Sequence, residues 1–445
     1  MIPGRIRIAV LDDDPTGIQT VHGCMVCTRW DAETLRAAFE DDVRFFYVLT
    51  NTRARTQAQA RQTVADAVES ILDANRAYGD NLLFVSRSDS TLRSHFPTEI
   101  NAILGLLERE RGRSVDAVFL VPAFFEGGRL TVDDVHYLLD GDRRIPTAES
   151  EFAKDSVFGY RSSHLPSYIE EKTQGAVRAA DVLSVPLTML RSGDMQPLRR
   201  LLGSLHGGSY VTVNAEVYAD LNVFAQVVLD QVEAGKRFVF QSAASVVKAL
   251  AGLPDRALLD AGIVEQPGHG LFVVGSHVRK STRQLERLLA VPQTEGFELD
   301  VCRILEESDA LRADALAGIS AAWSRGATPV VYTSRAELKF ADKDERLAAG
   351  RQISRFLVAL VRDAPGPLSF LVAKGGITSH DILVDGLQVG RSRVLGQIQP
   401  GVPVVKTPGN SRFPNMPYVI FPGNVGDEDA LARLLATLAA AGAPG

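Results

Sequence analysis

The chain has 445 residues, about two to three times the size of one domain, so a single core is not expected to cover it. Hydrophobic residues make up 45% and charged residues 23%, with 37 Gly and 21 Pro, proportions that exclude a collagen-like, coiled-coil or largely disordered chain. Lys and Arg total 48 against 54 Asp and Glu, a formal net charge of −6, so no basic excess drives binding to nucleic acid or to a membrane surface.

The N-terminal MIPGRIRIAVLDDD reaches aspartates after a short apolar run, and no stretch of about eighteen apolar residues occurs. The 3 cysteines are too few to staple a chain of this length. A cytoplasmic protein with small-molecule partners is predicted, no nucleic acid or membrane among them, and a homo-oligomer is left open. Cys24 and Cys27 form a C-x-x-C. A zinc site would need a second Cys or His pair, and a redox site a strand-to-helix turn, so CMVC after Gly23 reads as a strand and no metal site is predicted.

Apolar runs at 6–11, 45–49, 82–85 and 117–121 predict buried parallel strands. Between them, 56–78 puts Ala60, Val64, Ala67, Val68, Ile71 and Leu72 on one helical face, with Gly79 placed to end the helix. From 140 to 178 the periodicity weakens, which fits either a substrate-facing excursion or a long surface connection. Strands resume at 180–185, 210–214 and 237–241, with a closing helix near 245–253. LPDRALLDAGIVEQPGHG then reads as a crossover, giving domains 1–253 and 270–445 joined by a hinge at 254–269. The second series runs through 271–274, 329–333, 369–373 and 418–421. The predicted fold class is α/β: two domains, each a mainly parallel sheet flanked by helices, with a cleft between them.

Ligands in such sheets sit beyond the carboxyl ends of the strands. Four segments of the first domain lie there. Asp12-Asp13-Asp14-Pro15-Thr16-Gly17 crowds three carboxylates, which raises the proton affinity of one of them and suits general-base work, although Pro15 and Gly17 also fit a plain acidic turn. Thr50-Asn51-Thr52-Arg53 and Ser86 to Arg93 offer hydroxyls, Asp89 and two arginines; Asp89 and Ser90 serve equally well as the N-cap of a helix running through Ile100. Pro122 to Arg129 supplies a third guanidinium, a planar fork suited to a carboxylate.

The second domain carries glycine turns instead: Gly275-Ser276-His277, Lys374-Gly375-Gly376-Ile377-Thr378-Ser379, and Phe421-Pro422-Gly423-Asn424-Val425-Gly426-Asp427. Small residues at strand-to-helix turns let backbone N–H groups approach phosphate oxygens. None is a Walker A, and neither a kinase H-R-D set nor G-x-G-x-x-G is present.

Together these motifs resemble the four-carbon acid sugar kinase family, long catalogued as a domain of unknown function. They are D-D-P-T-G at 13–17, T-R at 52–53, D-S-T-L-R at 89–93, P-A-F-F-E-G-G-R at 122–129, G-S at 275–276, G-G-I-T at 375–378 and P-G at 400–401. E-F-A-K-D at 151–155, K-G-G-I-T-S and P-G-N-V-G-D place the chain nearest one subgroup, which lacks the C-terminal lysine segment of many members. The resemblance implies ATP-dependent transfer to the terminal 4-hydroxyl of a threonate, erythronate or 3-oxo-tetronate type acid, with Mg²⁺ bridging the phosphates. By motif, Asp13, Asp14 and Asp89 are the catalytic candidates, and Arg53, Ser90, Arg93 and Arg129 bind the acid. Ser276, Lys374, Gly375, Gly376, Thr378, Gly423, Asn424 and Gly426 bind the nucleotide, with Lys374 supplying the missing cation. The rival expectation is a non-catalytic protein that binds or senses the acid and nucleotide.

Overall fold

A computed structural model describes residues 2–112, 114–335, 343–423 and 425–440. The chain divides into two compact units, Met1–Asp255 and Arg256–Gly445.

In the first unit the strands are β1 (Ile6–Asp12), β2 (Met25–Cys27), β3 (Phe45–Leu49), β4 (Asn81–Arg87), β5 (Ala117–Val121), β6 (Arg129–Val132), β7 (Val135–Asp140), β8 (Arg143–Pro146), β9 (Leu183–Val185), β10 (Ser209–Val213) and β11 (Phe238–Ser242). Eight of them make one sheet in the order β2-β3-β1-β4-β11-β5-β10-β9, with every neighbouring pair parallel. Parallel strands are covered on both faces, so they read as unbroken apolar runs; FFYVL of β3 and AVFLV of β5 are buried throughout. Helices Gln57–Asn75 and Thr98–Arg111 cover one face, where Val64, Ile71 and Ile100 join Phe46 and Phe84 in one cluster. Helix Tyr218–Glu233 contributes Phe224, which packs edge-on against Phe119 at 5.2 Å.

The helix expected over 56–78 spans Gln57–Asn75, started by a capping box between Thr56 and Gln59. Gly79, at φ +65°, lies in the turn beyond and donates its amide to the Asn75 carbonyl at 2.7 Å. Cys24 and Cys27 are buried at and beside β2, as a strand requires. The antiparallel sheet β6-β7-β8, whose first two strands the sequence reading lacks, runs into the weakly periodic stretch, which holds β8, short 3-10 turns at Thr147–Glu149 and Glu151–Lys154 and helix Leu165–Lys172.

The second unit holds β12 (His269–Val274), β13 (Thr294–Leu299), β14 (Thr328–Thr333), β15 (Leu368–Lys374), β16 (Arg391–Gln399), β17 (Val402–Lys406) and β18 (Pro417–Phe421). Their order is β13-β14-β12-β15-β18-β17-β16, parallel through β18 and antiparallel from β18 to β17 and β17 to β16. The second series as read from sequence lacks β13, β16 and β17. Along β16 burial alternates at every residue, so Arg391, Arg393, Gln397 and Gln399 interrupt the apolar pattern and hide it from a search for continuous runs. Among the described residues, no helix is long and apolar enough to cross a membrane.

Candidate active site

In the first unit β3, β1, β4, β11 and β5 are neighbours, so the segments that leave their carboxyl ends converge. D-D-P-T-G leaves β1, and T-R leaves β3 as a short 3-10 turn. Arg53 joins the two: its Nε donates to Asp13 Oδ2 at 3.1 Å, its Nη2 donates to Asp13 Oδ1, and its Nη1 donates to Asp14 Oδ2 at 3.2 Å. Asp14 also accepts the Thr16 amide at 2.8 Å and the Thr16 hydroxyl at 2.6 Å. A glycine is needed at Gly17, because a Cβ there would overlap the Asp12 carboxylate.

The three aspartates differ in proton affinity because their surroundings differ. Burial pushes Asp12 up to about 8, opposed by Arg87, whose Nη1 is 3.4 Å from Asp12 Oδ1. Burial also raises Asp13, against the pull of Arg53. For Asp14 burial is outweighed by Arg53 and by the Thr16 hydroxyl and amide, so its carboxyl lies below the usual range and is ionised at neutral pH. Asp14 is also the most open of the three, with 20% of its side chain exposed against 2% for Asp13.

A second contact set follows β4 and β5. Arg93 Nε donates to Asp89 Oδ2 at 2.8 Å, and the Thr91 hydroxyl donates to the same oxygen. Arg53 and Arg93 outweigh the burial of Asp89 and hold it at about 2. Arg129, the first residue of β6, donates from Nη1 to the Gly127 carbonyl, while its buried Nε has no partner. Burial lowers the proton affinity of Arg129, Asp89 partly offsets that, and Arg93 lowers it further. Ser90 is buried in the same loop. The N-cap alternative for Asp89 and Ser90 is corrected: the helix begins only at Thr98, after Pro97, with no side-chain cap.

Three groups beneath these sets are absent from the motif-based list. Arg87 stands in register with Asp12 on the adjoining strand. Glu99 accepts the Ser86 hydroxyl at 3.1 Å, and burial, then Asp13, pushes it up to about 7. His136 is fully enclosed and held neutral, with its affinity for a proton lowered to about 4 by burial. An Asp ending one apolar strand and an Arg ending the next was the available signal for the first pair; nothing local marks Glu99 or His136.

In the second unit β12, β15 and β18 are neighbours, and a glycine turn leaves each. Gly375, at φ +116°, donates its amide to the Phe421 carbonyl at 2.9 Å, and Ser276 donates to the Lys374 carbonyl at 3.2 Å. A Cβ on Gly275 would strike Thr378 Oγ1, and one on Gly423 would press on Ser276 Oγ at 3.2 Å. Ser276, Gly375, Gly376, Thr378 and Gly423 are thus brought together. The Ser281 hydroxyl donates to the Gly423 carbonyl at 3.1 Å, and Gln284 Nε2 donates to the carbonyls of Val425 and Asp427, on either side of Gly426, at 2.9 and 2.8 Å. Asn424 lies outside the described residues.

Lys374 is fully buried, and its ammonium donates to the carbonyls of Pro422 at 2.5 Å and Gly423 at 3.2 Å. Burial, then Lys280, lowers it to about 7. Arg335, just past β14, donates from Nη1 to the Ser276 carbonyl at 2.7 Å and is a further group that the motifs do not mark.

Residues 8–250 match the sugar-binding N-terminal domain, and residues 271–431 match the nucleotide-binding C-terminal domain. A D-erythronate kinase of Heliobacterium modesticaldum is 24% identical over 311 residues, covering 67% of this chain and 64% of that protein, so the chain spans under two thirds of that relative's length. Two solved structures share the fold at 17% identity. A Haemophilus influenzae protein of the DUF1537 family superposes with a TM-score of 0.68, covering 97% of this chain and 100% of its own. A Salmonella typhimurium protein described as a candidate tRNA synthase gives 0.69, covering 96% and 98%.

Proposed function

The chain belongs to the four-carbon acid sugar kinase family, and on that premise we propose that it transfers the γ-phosphoryl group of ATP to the terminal 4-hydroxyl of a threonate, erythronate or 3-oxo-tetronate type acid. In this reading residues 1–253 take the acid, 270–445 take the nucleotide, 254–269 join them, and the reaction belongs to the cytoplasm.

One observation carries the proposal. The buried Nε of Arg129 has no hydrogen-bond partner, and Arg93 of the same contact set is already flanked by Asp89 and Asp155. A buried guanidinium N–H without an acceptor leaves a hydrogen bond to be filled, and the carboxylate of a sugar acid supplies that acceptor. Arg53 gives three of its five N–H groups to Asp13 and Asp14 and, with 22% of its side chain exposed, keeps donors for the acid. It holds those aspartates in place.

With the carboxylate held at one end, the far hydroxyl of a four-carbon acid is turned toward the aspartates. Its oxygen bonds to the γ-phosphorus, the bond from that phosphorus to the oxygen of ADP breaks, and the hydroxyl proton passes to an aspartate. Asp14 is favoured over Asp13 because it is ionised and more open, and over Asp89 because Asp89 is less open, 14% against 20%, and gives its Oδ2 to Arg93 and Thr91. The nucleotide's phosphates meet Ser276, Gly375, Gly376, Thr378, Gly423 and Gly426, while Lys374 shapes that cradle through two carbonyls. Among the described residues no group of three or more His, Cys, Asp or Glu side chains is arranged to hold a metal ion. Mg²⁺ would enter with the nucleotide and would supply charge neutralisation of the phosphates.

Coupled assays of ADP release on threonate, erythronate and oxo-tetronate isomers test the proposal. ADP formation with at least one of them is the expected result; binding of acid and ATP with no ADP from any isomer would leave a binding protein and defeat it.

A further inference from the structure

The E-F-A-K-D turn at 151–155 has no part in the chemistry above, yet it lies directly against the D-S-T-L-R loop. Three consecutive carbonyls of that loop are each tied by a buried side chain from a different element. The Tyr160 hydroxyl donates to Thr91 at 2.8 Å, and the Tyr168 hydroxyl, from helix Leu165–Lys172, donates to Leu92 at 2.9 Å. His136 of β7 bonds Ser90 from Nε2 at 2.8 Å. A carbonyl only accepts, so the His136 proton sits on Nε2, and Nδ1 accepts the Thr131 hydroxyl at 3.0 Å. Leu92 is held at φ +65°, a backbone region that side-chain-bearing residues seldom occupy. The loop backbone is thus over-determined, and the aim of the Arg93 side chain is what remains to be set.

The turn sets it. The Phe152 ring lies beneath the Arg93 guanidinium, 4.8 Å from its carbon to the ring centroid, and Asp155 Oδ2 is 3.8 Å from Arg93 Nη1. Arg93 Nε is held by Asp89 and by Thr91 Oγ1 at 3.1 Å. A planar cation with a ring on one face and acceptors at two of its nitrogens keeps a single orientation. Asp155 uses its other oxygen, Oδ1, to accept the amides of Val157 and Phe158 at 2.8 and 3.0 Å, which ties the turn's own shape to the same residue.

We infer that Phe152 and Asp155 are positioning residues for acid recognition: they aim Arg93, so the acceptor's carboxylate is met by a preset guanidinium. The inference rests on the proposed acid site and deepens it. Alternative structural work for the turn predicts uniform damage, whereas aiming predicts a selective loss in the acid.

The test is steady-state kinetics on the full chain, with acid and ATP varied separately, for F152L, F152Y and D155N. Leu keeps the apolar bulk without a π face, Tyr keeps the ring, and Asn keeps the Oδ1 cap while removing the charge beside Arg93. F152L and D155N should each raise KM for the acid about three- to tenfold, with kcat and KM for ATP within twofold of wild type, and F152Y should match wild type. An unchanged acid KM in both F152L and D155N, or a parallel fall in every parameter at intact thermal stability, overturns the inference. If a variant fails to fold, D155N decides alone, because it is isosteric. A wild-type protein that turns over no acid at all sinks the kinase proposal instead, and calorimetric binding of the same acids to the same three variants then decides the aiming role.

Discussion

At the scale of single residues, the arginines that look alike in sequence separate into two jobs. Arg53 gives three of its five N–H groups to Asp13 and Asp14, whereas Arg129 keeps a buried Nε without a partner. Arg129→Met should therefore raise KM for the acid at least tenfold with little loss of fold, read by kinetics and a thermal melt. Asp14→Asn should lower kcat about a hundredfold or more while leaving KM for the acid near wild type, as removal of a general base does. Asp13→Asn should in addition destabilise, because it strips Arg53 of its bidentate partner. Glu99 gives a pH signature. Its folded pKa, about 7, lies above the ordinary glutamate value of 4.5, so the folded state keeps a proton that the unfolded chain releases. The associated stability is fully present below pH 4.5 and is lost as pH rises through 7, up to about 3 kcal/mol. Glu99→Gln mimics the protonated carboxyl, so denaturant midpoints measured between pH 5 and 8 should fall less steeply than in wild type. Asp12 and Asp13, both raised, add slope of the same sign and His136 and Lys374, both lowered, slope of the opposite sign, all common to wild type and variant, so the difference between the two reports Glu99.

At the scale of elements, β3 and β5 were legible as unbroken apolar runs, β16 was hidden by its alternation, and β17 was missed although four of its five residues are buried. β3 and β5 are apolar at every position, but β16 alternates, and a one-sided strand rich in Arg and Gln resembles a loop. The order of the site motifs was legible too, because each follows a recognisable strand. Their pairing was not: the contact of Arg53 with Asp13 spans 40 positions, and the D-S-T-L-R loop mimicked a helix start until Pro97 and Thr98 proved to begin the helix. Lys374 is the sharpest case. K-G-G-I-T-S makes Lys374 a candidate cation for the phosphates, and the folded chain puts its ammonium on the carbonyls of Pro422 and Gly423. Lys374→Met leaves those carbonyls without their buried donor, so the P-G-N-V-G-D loop should loosen and ATP affinity should drop about tenfold, near 1.4 kcal/mol. Calorimetric titration with ATP checks this.

At the scale of the whole molecule, two compact units carry two kinds of site: charged side chains at strand ends in one, glycine turns in the other. If acid and nucleotide are bound by different units, Arg129→Met should leave ATP affinity unchanged, and Lys374→Met should leave acid affinity unchanged; titrations showing each variant weakened for both ligands would contradict the division. The α/β class, the family and the strand-end location of the motifs follow from sequence alone, since burial on both faces and short-range turn chemistry are written in adjacent residues. Which aspartate stays charged, which arginine is left unsatisfied, and which lysine turns inward were decided only by tertiary structure. Those properties depend on desolvation and on partners tens of residues away, which no local pattern encodes.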